Sequence, residues 1–79
     1  MATAGRVARD RAFLLGLGRR LASLRRARKL TQAHLADRAG LTIRYISMVE
    51  TGRRNPTILV LGDMARALRV RVRDLTDPG

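Results

Sequence analysis

Apolar positions recur at three- and four-residue steps in the first third of the chain, and basic residues fill many of the positions between them. Four leucines follow this spacing: Leu14, Leu17, Leu21 and Leu24. Such a spacing places the leucines on one face of a helix. Asp10 is the candidate N-cap, because a carboxylate accepts hydrogen bonds from the free N–H groups of a first turn. The pattern therefore predicts an amphipathic first helix, preceded by a flexible basic arm over residues 1–10.

Two shorter helices are predicted next, separated by a tight turn. Thr31 is a suitable N-cap for the second helix, and Gly40 supplies the left-handed residue that ends it. Thr42 opens a third helix over residues 42–51, whose buried face holds Ile46 and Val49. Two helices joined by about three residues that include a glycine have the length and chemistry of a helix-turn-helix bend.

The remainder of the chain predicts one long helix and one short one. Thr57 is the N-cap of the fourth helix, and its apolar residues recur with helical spacing. The predicted inner face consists of Ile58, Leu61, Met64, Ala65 and Leu68. Residues 69–73 alternate like a strand, but five residues without a partner strand are unstable. The predicted fold is all-α: a compact bundle of four helices plus a short fifth over residues 11–76, with a disordered tail over residues 77–79.

Size and composition argue against catalysis. The chain has 79 residues, enough for one small domain that buries about 60% of its unfolded surface. It has no cysteine, a single histidine (His34) and six carboxylates, so thiolate metal sites, cysteine nucleophiles and histidine-rich centres are excluded. We expect neither an enzyme nor a bound metal or cofactor.

The net charge of +11 is the strongest compositional signal. Sixteen of the 17 basic residues are arginine, and residues 1–40 carry a net +8. Such an excess predicts a polyanionic partner, with nucleic acid favoured over an anionic membrane or an acidic protein. The longest apolar runs, residues 12–18 and 58–61, are far shorter than the roughly 20 residues that cross a bilayer. We expect a soluble cytoplasmic protein associated with the nucleoid.

Some twenty positions agree at fixed spacing with one known family of DNA-binding proteins. They are Leu24, Arg25, Arg28, Lys29, Leu30, Thr31, Gln32, Leu35, Ala36, Ala39, Gly40, Leu41, Thr42, Tyr45, Ile46, Ser47, Val49, Glu50, Gly52, Arg53, Arg54, Asn55, Pro56 and Thr57. This pattern resembles the Cro/phage-repressor family, also called the xenobiotic-response-element family. The resemblance implies a lambda-repressor-like bundle. The run Tyr45, Ile46, Ser47 is also similar to the controller proteins of restriction-modification systems.

The resemblance implies roles for individual residues. Those expected to read bases from the third helix are Ile43, Arg44, Tyr45, Ser47 and Met48. Those expected to contact phosphates are Gln32, Thr42, Arg53, Arg54 and Asn55. Arg44 is the foremost candidate, because arginine donates two hydrogen bonds to guanine O6 and N7. Arg25 and Glu50 are expected to form a structural ion pair.

Some of these residues also have a purely structural interpretation. Tyr45 is alternatively a cover for the edge of the core, and Met48 is alternatively a packing residue. His34 is interpreted as a solvated helix residue. The arginines of the first helix are interpreted mainly as a solvated face: Arg19, Arg20, Arg26 and Arg28.

Several residues differ from the family pattern, and these differences lead to further expectations. Lys29 and Arg69 stand where glycine is common after a helix, and Arg71 replaces the usual Ser or Thr cap. Leu59 and Val60 are apolar where polar residues are frequent. Adjacent apolar residues on the outside of a small protein suggest a covered surface. We expect them, together with Val72, to form a homodimer interface.

These features predict a sequence-specific transcriptional regulator, bacterial or phage, that represses or activates from a promoter operator. A dimer would bind a near-palindromic operator with half-sites about 34 Å apart, and RNA polymerase is a further expected partner. The alternative function is an antitoxin that binds a toxin and regulates its own operon. A membrane-surface role through Phe13, Leu14 and Leu17 is disfavoured, because the helix needs those leucines for the core.

Overall fold

Five helices follow one another in the computed structural model, which describes residues 3–77. They are α1 (Ala4–Ala27), α2 (Gln32–Ala39), α3 (Ile43–Glu50), α4 (Ile58–Leu68) and α5 (Val72–Thr76). The predicted all-α bundle of four helices plus a short fifth is confirmed. None of the helices within residues 3–77 combines the length and apolarity that crossing a bilayer requires.

Helix α1 begins much earlier than the sequence predicted. Its N-cap is Thr3, whose hydroxyl accepts a hydrogen bond from the Arg6 N–H at 3.2 Å. Asp10 lies inside the helix, where its carboxylate is 3.8 Å from the Arg6 guanidinium. The predicted Asp10 cap is therefore wrong, and so is the flexible arm for residues 4–10. The first turns are rich in alanine and arginine, which are strong helix formers and need no apolar periodicity to be helical.

The predicted arm and the predicted tail both extend beyond the described residues. Met1 and Ala2, the start of the predicted arm, lie outside the described residues. Pro78 and Gly79, the end of the predicted disordered tail, also lie outside them. Asp77 is described and is the C-cap of α5.

Threonines cap the next three helices, as the sequence predicted. The hydroxyls of Thr31, Thr42 and Thr57 accept backbone N–H groups three residues later at 3.0, 3.0 and 3.2 Å. His34 completes a capping box, because its Nδ1 accepts the Thr31 N–H at 3.2 Å. His34 is an exposed helix residue, as the sequence predicted, and its capping role is an addition to that interpretation. Its ring nitrogen plays the part that a Glu or Gln carbonyl oxygen plays in other capping boxes.

A single core holds the bundle together, and every helix contributes to it. It consists of Leu17, Leu21, Leu35, Ala36, Ile46, Val49, Leu61, Met64, Ala65, Leu68 and Leu75. Four of the five residues predicted for the inner face of α4 are in this core. The fifth, Ile58, is 68% exposed, because it starts the helix beyond the edge of the core. Leu17 is fully buried and Leu14 packs against the core, so they are not available for membrane insertion.

Residues 69–73 form the bend into α5 and not a strand. Arg69 is left-handed (φ 58°), and so is Lys29 after α1 (φ 57°). Both bends therefore keep the geometry of a glycine turn at a cost of about 1–2 kcal/mol per non-glycine residue. Arg71 does not cap α5 through its side chain; its backbone N–H donates to the Asp74 carboxylate at 2.8 Å.

Helix α5 is held in place by Arg20, a residue that the sequence placed on the solvated face. The Arg20 Nε donates to the Leu75 carbonyl at 2.8 Å, and its Nη2 donates to the Thr76 carbonyl at 3.3 Å. These carbonyls belong to the last turn of α5, which has no intrahelical partners for them. Arg20 therefore ties the C-terminal end of the chain to the middle of α1.

Candidate nucleic-acid interface

The turn between α2 and α3 fixes how α3 is presented. Gly40 is left-handed (φ 70°, ψ 32°), a conformation that glycine adopts without strain. The next N–H, from Leu41, donates to the Ala36 carbonyl at 2.8 Å and closes the end of α2. Thr42 then caps α3, so only residues 40–42 separate the two helices. This is the helix-turn-helix bend that the sequence predicted.

One face of α3 is buried and the other is open. Ile46 and Val49 have no exposed surface and fix the helix against the core. On the opposite side Ile43 is 53% exposed and Arg44 is exposed. Tyr45, Ser47 and Met48 are half-buried. An eight-residue helix anchored in this way presents a short protruding edge, as a helix that enters a DNA groove must.

A buried polar network locks the C-terminal end of α3 to α1 and α2. The Arg25 Nε donates to Glu50 Oε2 at 2.6 Å, and its Nη2 donates to Oε1 at 3.1 Å. The Gln32 amide donates to the same Oε1 at 3.0 Å, and Arg25 Nη1 donates to the Leu30 carbonyl at 2.8 Å. The ion pair implied by the resemblance is therefore present, and Gln32 is part of it.

The environment of Arg25 favours its charged form. Its hydrogen bond to Glu50 raises the pKa of Arg25 above the ordinary value, and the charge of Glu50 adds to this effect, while burial opposes it. Arg25 therefore stays cationic at any working pH. The pair acts as a permanent cross-link between α1 and α3.

The loop after α3 carries the other predicted phosphate contacts. Arg53, Arg54 and Asn55 are all exposed, and the Arg53 N–H donates to the Met48 carbonyl at 2.8 Å. The Arg54 guanidinium carbon lies 5.5 Å from the centre of the Tyr45 ring, within cation–π distance. Tyr45 also packs against the core. The loop is therefore held beside the open face of α3.

Comparison with known proteins agrees with this geometry. The HTH_3 family, described as helix-turn-helix, matches residues 21–75. The chain belongs to this family. The matched segment contains α2, the turn, α3 and the loop that follows, together with α4 and most of α5.

Two relatives are regulators by name. An uncharacterised HTH-type transcriptional regulator, y4dJ of Sinorhizobium fredii, is 42% identical over 62 residues, which are 78% of this chain and 80% of that protein. The immunity repressor protein of Bacillus phage phi105 is 39% identical over 56 residues, which are 71% of this chain. The match spans 39% of the phage protein.

Two solved structures share the fold of this helix-turn-helix domain. The restriction-modification controller protein C.AhdI of Aeromonas hydrophila is 39% identical with a TM-score of 0.80, covering 81% of this chain and 97% of that one. An HTH_3 family transcriptional regulator from Vibrio cholerae is 27% identical with a TM-score of 0.81, covering 87% of this chain and 40% of that one. The resemblance to Cro-like regulators and to controller proteins is confirmed.

The structure gathers the predicted site residues into one region. The expected base-reading residues lie on α3, and the expected phosphate contacts lie at the start of α2, at the start of α3 and in the loop after α3. Sequence reasoning missed Gly18, where an added Cβ would overlap the carbonyl oxygens of Val49 and Glu50. A glycine within the apolar stripe of an amphipathic helix was the available signal.

Proposed function

We propose that this helix-turn-helix protein is a sequence-specific transcriptional regulator that binds an operator in duplex DNA. The observation that carries the proposal is the open face of α3, backed by the fully buried Ile46 and Val49 and locked by the Arg25–Glu50 pair. The net charge of +11 supplies the attraction to the DNA backbone. The family membership of the chain and the regulators similar to it support the same function.

In this proposal α3 lies in the major groove and reads base edges. Arg44 binds a guanine through O6 and N7, and Ile43 and Met48 contact thymine methyl groups. Ser47 and Tyr45 complete the reading surface. Tyr45, with Arg54 against its ring, is placed for the edge of the groove.

Backbone contacts would orient the domain on the DNA. The N-termini of α2 and α3 offer free N–H groups and a positive dipole to phosphates, next to Gln32 and Thr42. An amide nitrogen has two hydrogens, so Gln32 keeps one for a phosphate while the other is bound to Glu50. Arg53, Arg54 and Asn55 would follow the sugar-phosphate chain.

The operator would be a near-palindrome bound by a homodimer. Leu59 is 78% exposed on α4, and Val60 and Val72 are half-buried. An exposed apolar patch of this kind suggests a covered surface. Repression by occupying a promoter is favoured by the similarity to a phage immunity repressor. A more specific role, as the controller of a restriction-modification system, is supported by the similarity to C.AhdI.

A binding experiment with the Arg44→Ala variant tests direct reading of bases. The cognate site is first selected from random duplexes with the wild-type protein, and affinity is then measured on that site and on a scrambled duplex. We expect Arg44→Ala to lose about 1–3 kcal/mol on the selected site and to relax one base position. Arg38→Ala on α2 is the control, because Arg38 is exposed and borders a hollow with Arg28 and Arg69, away from the residues of the proposed interfaces. Equal losses on both duplexes would contradict base reading by Arg44.

A further inference from the structure

Helix α1 reaches well beyond the part of the chain that matches the family. The match begins at residue 21, whereas α1 begins at Ala4. The 17 residues between these points rise about 25 Å along the helix axis. They carry five arginines and a single acidic residue, Asp10. This segment is therefore strongly basic, and its first turns extend beyond the matched helix-turn-helix unit.

The same segment crosses the C-terminal end of α3. Gly18 is so close to α3 that a Cβ there would overlap the Val49 and Glu50 carbonyl oxygens. One turn earlier, Leu15 lies against Gly52, where an added Cβ would be 2.8 Å from the Leu15 Cδ2. Gly52 directly precedes Arg53 and Arg54, the exposed arginines of the loop. The face of α1 that carries Leu15 therefore borders that loop.

Two exposed arginines lie on this face. Arg11 and Arg19 stand four residues before and four residues after Leu15, and side chains at this spacing share one face of a helix. Both are exposed, and neither guanidinium group forms a hydrogen bond or ion pair with another part of residues 3–77. The small side chains of Ala8 and Ala12 border the same shallow hollow as Arg11, so a partner can approach its guanidinium.

Of the other three arginines in this segment, Arg6 and Arg20 have partners within the protein, and Arg9 is exposed on another face of the helix. Arg6 pairs with Asp10 at 3.8 Å and borders a different hollow, between α1 and Asn55. Arg20 holds the last turn of α5. Arg11 and Arg19 are about 12 Å apart along the axis, as eight helical residues are.

We propose that Arg11 and Arg19 bind phosphates of the DNA strand that passes the C-terminal end of α3, and so extend the contact made by Arg53 and Arg54. The occupant is a polyanion because this face offers guanidinium groups and no carboxylate. The inference rests on the proposed function, since it places α3 in the major groove. It assigns a DNA contact to a part of α1 that lies outside the family match.

Salt-dependent binding of matched variants tests the inference. Affinity for the selected operator is measured between 50 and 300 mM salt for Arg11→Ala, Arg19→Ala and the double variant. Each lost phosphate contact lowers the steepness of the log–log plot by about 0.9. A homodimer loses one contact in each subunit, so each single variant should lose about 1.8 and the double variant about 3.6. Arg9→Ala is the control, because it removes the same charge from an exposed position on another face of the same helix. Alanine preserves the helix, and thermal unfolding checks that each variant is folded.

The outcomes separate this inference from the proposed function. Reduced steepness for Arg11→Ala and Arg19→Ala, with Arg9→Ala close to wild type, supports the contact. Hydroxyl-radical footprinting should then show lost protection at one or two backbone positions per half-site. If all three single variants match wild type while Arg44→Ala loses specific binding, the α1 contact is wrong and the proposed function stands. A wild-type protein with no preferred duplex would overturn both.

Discussion

Arg25 and Glu50 show how burial decides what an ion pair contributes. Their nitrogen–oxygen distance is 2.6 Å, and their side chains are 10% and 6% exposed. Arg66 and Asp63 on α4 lie at the same distance, but their side chains are 76% and 39% exposed. The buried charges have lost water and depend on each other, whereas the exposed ones can return to solvent. Equal geometry should therefore give unequal stability.

Removing one member of each pair tests this difference. We expect Arg25→Ala to lower the free energy of unfolding by about 3–5 kcal/mol, because Glu50 would remain buried without its cation. Arg66→Ala should cost less than about 1 kcal/mol. Urea denaturation followed by circular dichroism measures both. Similar losses for the two variants would mean that the distance, and not the burial, controls the contribution.

At the scale of elements, α1 contains one glycine that close packing requires and one that it does not. Gly18 faces the end of α3, where its missing Cβ leaves room for the Val49 and Glu50 carbonyls. Gly16 is in the same helix, but an added Cβ would meet only the Arg20 guanidinium at an ordinary 3.7 Å. The position of α3 relative to α1 therefore depends on Gly18. Gly16 only adds conformational freedom to the unfolded chain.

Alanine at these two positions should change stability in opposite directions. Gly18→Ala forces α1 and α3 apart, so we expect a loss of about 1–3 kcal/mol together with weaker operator binding. Gly16→Ala should gain about 0.5–1 kcal/mol, since alanine is the better helix former. Thermal and urea unfolding of both variants provide the comparison. A gain for Gly18→Ala would show that the helices have more room than the structure indicates.

At the scale of the whole molecule, exposed apolar side chains lie on α1 and α4 as well as on α3. Leu59, 78% exposed, lies on α4 with Val60 beside it. Phe13, 54% exposed, lies on α1, beside a hollow that α1 shares with Asn55 and Pro56. In the proposed homodimer the α4 patch is covered by its copy in the other subunit. The Phe13 surface lies outside that interface.

Substituting glutamate for an apolar residue on each surface tests which surface forms the subunit interface. We expect Leu59→Glu to be monomeric in sedimentation and to lose affinity for a palindromic operator more than for a single half-site. Its free energy of unfolding should change by less than about 0.5 kcal/mol when measured as a monomer, because the side chain is exposed there. Phe13→Glu, the matched control, should remain dimeric. A dimeric Leu59→Glu protein would place the subunit interface elsewhere.

The helices around the candidate nucleic-acid interface show how much of the fold the sequence predicts. The starts of α2, α3 and α4 followed from Thr31, Thr42 and Thr57, because capping depends on residues within one turn. The start of α1 was wrong because a helix of alanine and arginine has no apolar stripe to reveal it. Ile58 was misplaced for a related reason: helical spacing gives the face of a residue, but not where the core ends.

The sequence by itself determined the helices, the turn at Gly40 and the basic charge, because these depend on local spacing and composition. Only the tertiary structure decided what distant residues do together. It brought Gln32 to Glu50, Arg20 to the end of α5 and Leu15 to Gly52. Such contacts depend on how helices cross, which packing over the whole core sets and which no short stretch of residues encodes.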